Sequence, residues 1–231
     1  MSSAPVLIRL PGVYRPQTDS QLLAEALSAT VVHQHTRVLD LFTGTGYLAL
    51  AAGRAGAGSV TAVDISRRAA VTARCNAYLH RMRIDIRCGD FATSELGQFD
   101  LVLANPPYVP GPRAGTVPGS ARAWDAGPDG RDLLDPLCDL LPTLLAPGGV
   151  ALLVHSTLCG TDHTLRRLGT GPLDCAVVAE RRVPFGPVLR SRRAWLTSRG
   201  LIAAADTGED LVVIRATRAA APVPVTELQC G

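Results

Sequence analysis

The chain contains no lysine: all 23 of its basic residues are arginine. With abundant alanine, glycine and proline, this reads as genome-level codon bias rather than as a functional choice. Against 20 acidic residues the arginines leave a net charge of +3, too mild by itself to indicate a polyphosphate partner or a membrane surface. No apolar run approaches the roughly 18 residues of a membrane span. The opening "MSSAPVLIRLPG" lacks an apolar core of signal-peptide length, so a soluble, cytoplasmic protein with no membrane partner is expected. The six cysteines (75, 88, 138, 159, 175 and 230) contain no CxxC pair and no metal-ligand spacing. They read as reduced thiols, mostly buried. The five histidines are scattered, which argues against a metal site, and no GxSxG nucleophile elbow is present. Nor is there an internal repeat.

What remains is an ordinary globular composition, 47% apolar and 19% charged over 231 residues, which suits one α/β domain. That domain is expected to span 1–218, with a proline-broken, mobile tail at 219–231. Short apolar runs at 37–42, 59–65, 83–88, 100–105, 150–155, 175–180 and 211–216 read as strands. Segments at 19–31, 46–55, 67–81, 132–146 and 189–199 carry leucine and alanine at helical spacing. "APGG" at 146–149 reads as the turn between a helix and the fifth strand. The alternation predicts a doubly wound, mostly parallel sheet.

"VLDLFTGTGYLAL" (38–50) places Gly44 and Gly46 between a strand and a helix, and Asp64 follows Gly44 by 20 positions at the end of the second strand. Glycines there let backbone approach a ligand, and an acidic side chain at that distance can accept hydrogen bonds from a ribose. The pattern fits both NAD and S-adenosylmethionine. Asp40, before the glycines, favours the latter: a carboxylate there could meet a methionine ammonium and would repel a pyrophosphate. Asp90 in "CGDFA" (88–92) could accept from an adenine amine, with Phe91 beside the ring. Three acids at consecutive strand ends fall on the sheet edge where open α/β folds bind ligands.

The fourth run ends in "LANPPYVPG" (103–111). Two prolines cannot continue a central strand, so the chain leaves the sheet at Asn105 in a stiff, preset conformation. A long irregular segment, 106–130, follows.

These motifs resemble the HemK-type glutamine methyltransferases, class I S-adenosylmethionine-dependent enzymes that modify release factors. The similarity covers roughly 13–155 and is strongest to the short branch lacking an N-terminal helical domain. "VYRPQTDSQLL" (13–23) resembles that branch's entry motif. "NPPYV" is common to the family, and "AWDAGPDGRDLLD" (123–135) resembles the segment that follows it. The resemblance implies a Rossmann-like sheet of seven strands in the order 3-2-1-4-5-7-6. It implies S-adenosylmethionine as cofactor, held by Ser20, Asp40, Phe42, Gly44, Gly46, Asp64, Ile65, Asp90, Phe91 and Asn105. It further implies that Asn105, Pro106 and Tyr108 hold an acceptor amide, that the substrate is a GGQ-type release factor, and that a small activating subunit takes part.

An amide nitrogen is a poor nucleophile because its lone pair is delocalised. Accepting both of its N–H hydrogens, through the Asn105 oxygen and the Pro106 carbonyl, aims that lone pair without a strong base. The chain departs from the family at Phe42, which stands where a first glycine is usual, and at Arg15 and Thr18. Two other readings stay open. One is methylation of an exocyclic amine in RNA or DNA, and the other a non-catalytic cofactor-binding module. The arginine-rich stretch 181–199 reads either as a solvated helix face or as a docking ridge, and Trp195 reads as core.

Overall fold

A computed structural model of the chain describes residues 5–112 and 123–220. Most of the tail, Cys230 and the middle of the 106–130 segment lie outside the described residues. The apolar runs form seven strands: β1 (Arg37–Leu41), β2 (Ser59–Asp64), β3 (Asp85–Cys88), β4 (Phe99–Ala104), β5 (Leu145–Ser156), β6 (Leu173–Pro184) and β7 (Gly208–Arg218). They make one sheet in the order β3-β2-β1-β4-β5-β7-β6, as the resemblance implies. β1 to β5 pair in parallel, while β7 runs antiparallel to both β5 and β6. β1 and β4 are buried along almost their whole length, which is why they read as near-continuous apolar runs rather than alternating ones.

The helices are α1 (Thr18–Ser28), α2 (Tyr47–Arg54), α3 (Arg67–Leu79), α4 (Leu134–Leu144), α5 (Thr161–Leu168), α6 (Pro187–Ser191) and α7 (Arg193–Ser198). Among the described residues no helix is long and apolar enough to cross a membrane. Two local expectations are corrected, and one helix escaped the sequence reading. "APGG" lies inside β5, where the pairing with β4 slips between Phe99 and Leu101 to absorb the extra residues. The segment 189–199 is two short helices meeting at Arg192. α5, with only Thr164 and Leu168 buried, carries too few apolar positions to show a helical period in the sequence. Of the five described cysteines, all free, Cys75 and Cys88 are exposed and only Cys138 and Cys159 fully buried.

One consequence of the strand order governs the rest. Chain order reverses between β1 and β4, which lie side by side with Leu41 opposite Ala104. The glycine turn and the NPPY therefore emerge as neighbours at the switch point, where the chain diverges to both faces and leaves a crevice.

Candidate active site

The crevice is a cleft of about 460 Å³. Ser20, Phe42, Gly44, Asp64, Ile65, Asp90, Phe91, Asn105, Pro106 and Tyr108 all line it. Asp40 and Gly46 do not.

Beyond β1, β2 and β3 the wall is built around the glycine turn. Phe42 adopts φ 59°, the left-handed conformation a glycine would favour, at a cost of roughly 1–2 kcal/mol for a residue with a side chain. The turn thus holds a left-handed residue where a first glycine is usual, with a side chain in its place. The Phe42 ring meets Phe91 edge-on, with centroids 4.9 Å apart. A Cβ at Gly44 would find nothing of the protein nearer than 3.9 Å. The room above Gly44 is therefore left open by the fold itself, and it faces the cleft.

Asp64 fixes this turn. Its Oδ2 accepts from the Gly44 amide at 2.9 Å and its Oδ1 from the Ser66 amide at 2.8 Å. Burial holds its pKa above the usual carboxylate range, and the two amides offset that in part. Each oxygen retains a second lone pair, so the side chain can still accept from vicinal hydroxyls. Asp90 is exposed; its Oδ1 accepts from the Ala92 amide at 3.0 Å, and its Oδ2 has no partner among the described residues.

Asp40 corrects the expectation placed on it. Fully buried behind the turn, it accepts through Oδ2 from Thr43 Oγ1 at 2.6 Å and from the Ala49 amide at 3.0 Å. Its carboxylate ties strand, turn and α2 together and does not reach the cleft. Burial pushes its pKa up to about 7, with the Thr43 and Ala49 hydrogen bonds opposing the shift, and Oδ1 has no partner among the described residues. Gly46 is likewise set back: its φ of 81° starts α2, and a Cβ there would press on Ala73 at 3.2 Å.

Beyond β4 the wall is Asn105, Pro106 and Tyr108. Asn105 Nδ2 donates to Ser20 Oγ at 3.1 Å, which places Ser20 with the NPPY. Tyr108 is buried, and its hydroxyl donates to Asp19 Oδ2 at 3.2 Å. Desolvation, reinforced by the Asp19 charge, raises the pKa of this phenol, so it stays protonated and able to donate. Asp19 was missed in the sequence. It also accepts from the Tyr14 hydroxyl at 2.8 Å, and Tyr14, in the entry motif, lines the cleft.

The segment after the NPPY acts as a brace. Val109 donates to the Trp124 carbonyl at 2.8 Å, Ala126 to Val109 at 3.1 Å and Gly111 to Gly127 at 2.8 Å. Arg131 is buried. Its guanidinium pairs with Asp135 at 2.7 Å and donates to the Cys159 carbonyl at 2.5 Å and to Thr164 Oγ1 at 3.0 Å. Gly130, at φ 75°, sits against Tyr108: a Cβ there would strike the Tyr108 carbonyl and come within 2.7 Å of Cys159 Sγ. Gly130→Ala should therefore destabilise the protein by roughly 1–3 kcal/mol, the scale for overpacking a filled site. Denaturant melts measure this directly. An unchanged midpoint would mean that the brace can slide away from the NPPY.

The arginine-rich stretch is neither a bare solvated face nor a free ridge. Arg181 pairs with Glu25 and Arg182 with Asp210, both at 2.7 Å. Arg190 and Arg193 donate to the Phe185 and Ala204 carbonyls at 2.9 and 2.7 Å. Arg192 pairs with Asp125 and donates to the Pro110 carbonyl at 2.9 Å. The acids are supplied by other segments, and for that reason the run looked unpaired in the sequence. Trp195 packs, partly buried, against a small cluster of Phe185, Leu189, Leu196 and Ile202.

Comparison with known proteins agrees with this geometry. Residues 6–117 match the family model described as Methyltransferase small domain. The chain is 34% identical over 176 residues to a putative protein N5-glutamine methyltransferase of Methanocaldococcus jannaschii, covering 76% of this chain and 88% of that one. It is 38% identical over 146 residues to a release factor glutamine methyltransferase of Rhodospirillum rubrum, covering 58% of this chain and 44% of the relative. The chain thus spans less than half the length of that second relative. Among solved structures, the E. cuniculi Mtq2–Trm112 complex, responsible for methylating the eRF1 termination factor, superimposes with a TM-score of 0.65 at 20% identity. The match covers 90% of this chain and 99% of the matched one.

Proposed function

Since the chain belongs to the protein N5-glutamine methyltransferase family of class I S-adenosylmethionine-dependent enzymes, we propose that it methylates the side-chain amide of a protein glutamine, in the GGQ loop of a translation release factor. The observation that carries this reading is the state of Asn105. Its Nδ2 is held by Ser20 at 3.1 Å, its Oδ1 has no partner among the described residues, and it lines one cleft with Asp64 and Gly44.

When bound, S-adenosylmethionine supplies an electrophilic sulfonium methyl. The chain supplies the rest by positioning. Asp64 accepts from the ribose hydroxyls, Asp90 from the adenine amine, and Phe42 with Phe91 forms the apolar wall beside the ring. Asn105 Oδ1 and the Pro106 carbonyl, which accepts nothing from the described residues, take the two N–H hydrogens of the acceptor amide. That fixes the plane of the amide and turns its nitrogen toward the nucleoside half of the cleft. Tyr108 packs at the flat group, its hydroxyl anchored on Asp19. Asp19 is not a base for this reaction, because four donors already fill its four lone-pair sites. The reading includes a small partner subunit; the structural neighbour Mtq2 was solved in complex with Trm112.

Label transfer tests the proposal. With methyl-labelled S-adenosylmethionine, a release factor and a candidate small subunit, label should enter the protein fraction, survive nuclease, and vanish when the GGQ glutamine is replaced. Label that is lost to nuclease and resists protease would move the acceptor to an exocyclic amine of a nucleic acid.

A further inference from the structure

Asp19, Ser20 and Asn105 form a chain of hydrogen bonds whose direction is set by chemistry. Asp19 is buried in the first turn of α1. The Ser20 amide at 2.5 Å and the Ser20 hydroxyl at 3.1 Å donate to its Oδ1. The hydroxyls of Tyr14 at 2.8 Å and Tyr108 at 3.2 Å donate to its Oδ2. A carboxylate accepts only, so the one hydrogen of the Ser20 hydroxyl is committed to Asp19. Ser20 Oγ then has only lone pairs to offer, and Asn105 meets them with its NH2 group at 3.1 Å. Were the Asn105 amide reversed, its oxygen would face an oxygen with no hydrogen left to give.

We infer that Asp19, acting through Ser20, is a positioning residue that fixes which end of the Asn105 amide faces the acceptor. The fixed polarity selects for the acceptor's chemical class. A clamp that presents oxygen from Asn105 and oxygen from the Pro106 carbonyl receives a group with two N–H donors. It disfavours a carbonyl or a carboxylate, which would meet only acceptors. This inference rests on the acceptor role proposed for Asn105. It also relocates Ser20, which the resemblance had assigned to the cofactor, into the acceptor machinery.

The test is chosen so that the two ideas can fail separately. In the ligand-free protein, the Asn105 side-chain NH2 resonances report the Ser20 bond directly. Ser20→Ala should speed their hydrogen exchange by on the order of 10-fold, and Ser20→Thr, which restores a hydroxyl, should reverse the change. Asp19→Asn should reproduce the faster exchange. Because it also disturbs both tyrosines, Ser20→Ala is the deciding variant. In methyl transfer to a release factor, Ser20→Ala should lower kcat by on the order of 10-fold, the scale for loosening a positioned group. KM and cofactor affinity should stay within a few-fold, and Ser20→Thr should rescue the rate. Unchanged NH2 exchange in Ser20→Ala would overturn the inference. So would a loss confined to cofactor affinity, since Ser20 would then serve the cofactor. Altered exchange in a protein that methylates no glutamine would leave the polarity standing and remove the proposed substrate instead.

Discussion

Asn105→Ala should cut turnover by about 10²–10³-fold, the scale for losing one preorganised polar contact at a reacting group, while leaving cofactor affinity within a few-fold. The asymmetry follows from the sheet. Asn105 stands beyond β4, whereas the carboxylates of Asp64 and Asp90 stand at the end of β2 and beyond β3, so the substitution removes a group from one half of the cleft only. Single-turnover rates and calorimetry on the same preparation separate the two quantities. Tyr108→Ala serves as the companion. Beyond its packing, its hydroxyl donates to the buried Asp19 carboxylate at 3.2 Å. Removing it therefore also strips Asp19 of a donor and should lower the melting temperature. If both variants lose stability but keep their rate per folded molecule, the NPPY is architecture and the clamp is wrong.

Asp64→Ala should weaken cofactor binding by roughly 1.5–3 kcal/mol, the scale for a hydrogen bond to a charged group. Two effects act together. The acceptor for a ribose is lost, and the Gly44 and Ser66 amides, held at 2.9 and 2.8 Å in the native turn, lose their common partner. Asp64→Asn separates them in part, because its single oxygen can hold only one of the two amide positions. Titration calorimetry with S-adenosylmethionine and with its demethylated product should show the same loss for both. Undiminished affinity in Asp64→Ala would mean that the nucleoside is gripped elsewhere.

The strands were legible because buried parallel strands announce themselves as short apolar runs; their order was legible only because the entry motif, NPPY and "AWDAGPDGR" segment together resemble one family. The cleft residues were legible wherever a side chain stands at a strand end or directly after it, as with Asp64 and Asn105. What escaped were contacts between segments distant in sequence. Asp19 lies in a helical first turn, where an acid is ordinarily explained by the helix dipole. Nothing local signals that Tyr108, 89 positions away, donates to it. Asp40 illustrates the reverse error. Its place at a strand end is that of a ligand-facing acid, but the hydroxyl of Thr43 and the amide of Ala49 fold over it. Phe42 looked like a break in the glycine pattern, yet the backbone reached the left-handed conformation regardless.

The pairing of Arg192 with Asp125 and Pro110 bears on how such a protein can be divided. The segment matched by the family model, 6–117, contains most of the cleft lining but stops before either partner of that ion pair. Arg192 belongs to the α6–α7 junction and Asp125 to the loop over the NPPY, so their compatibility is a property of the chain's second half alone. A hybrid joined near residue 117 would carry both members from the same parent and keep its loop anchored. One joined after β5 would take them from different parents, and would strand a buried carboxylate beside the NPPY wherever the second parent lacks an arginine there. Crossover sites for recombining relatives of this protein are therefore better placed ahead of the loop than within the sheet's last strands.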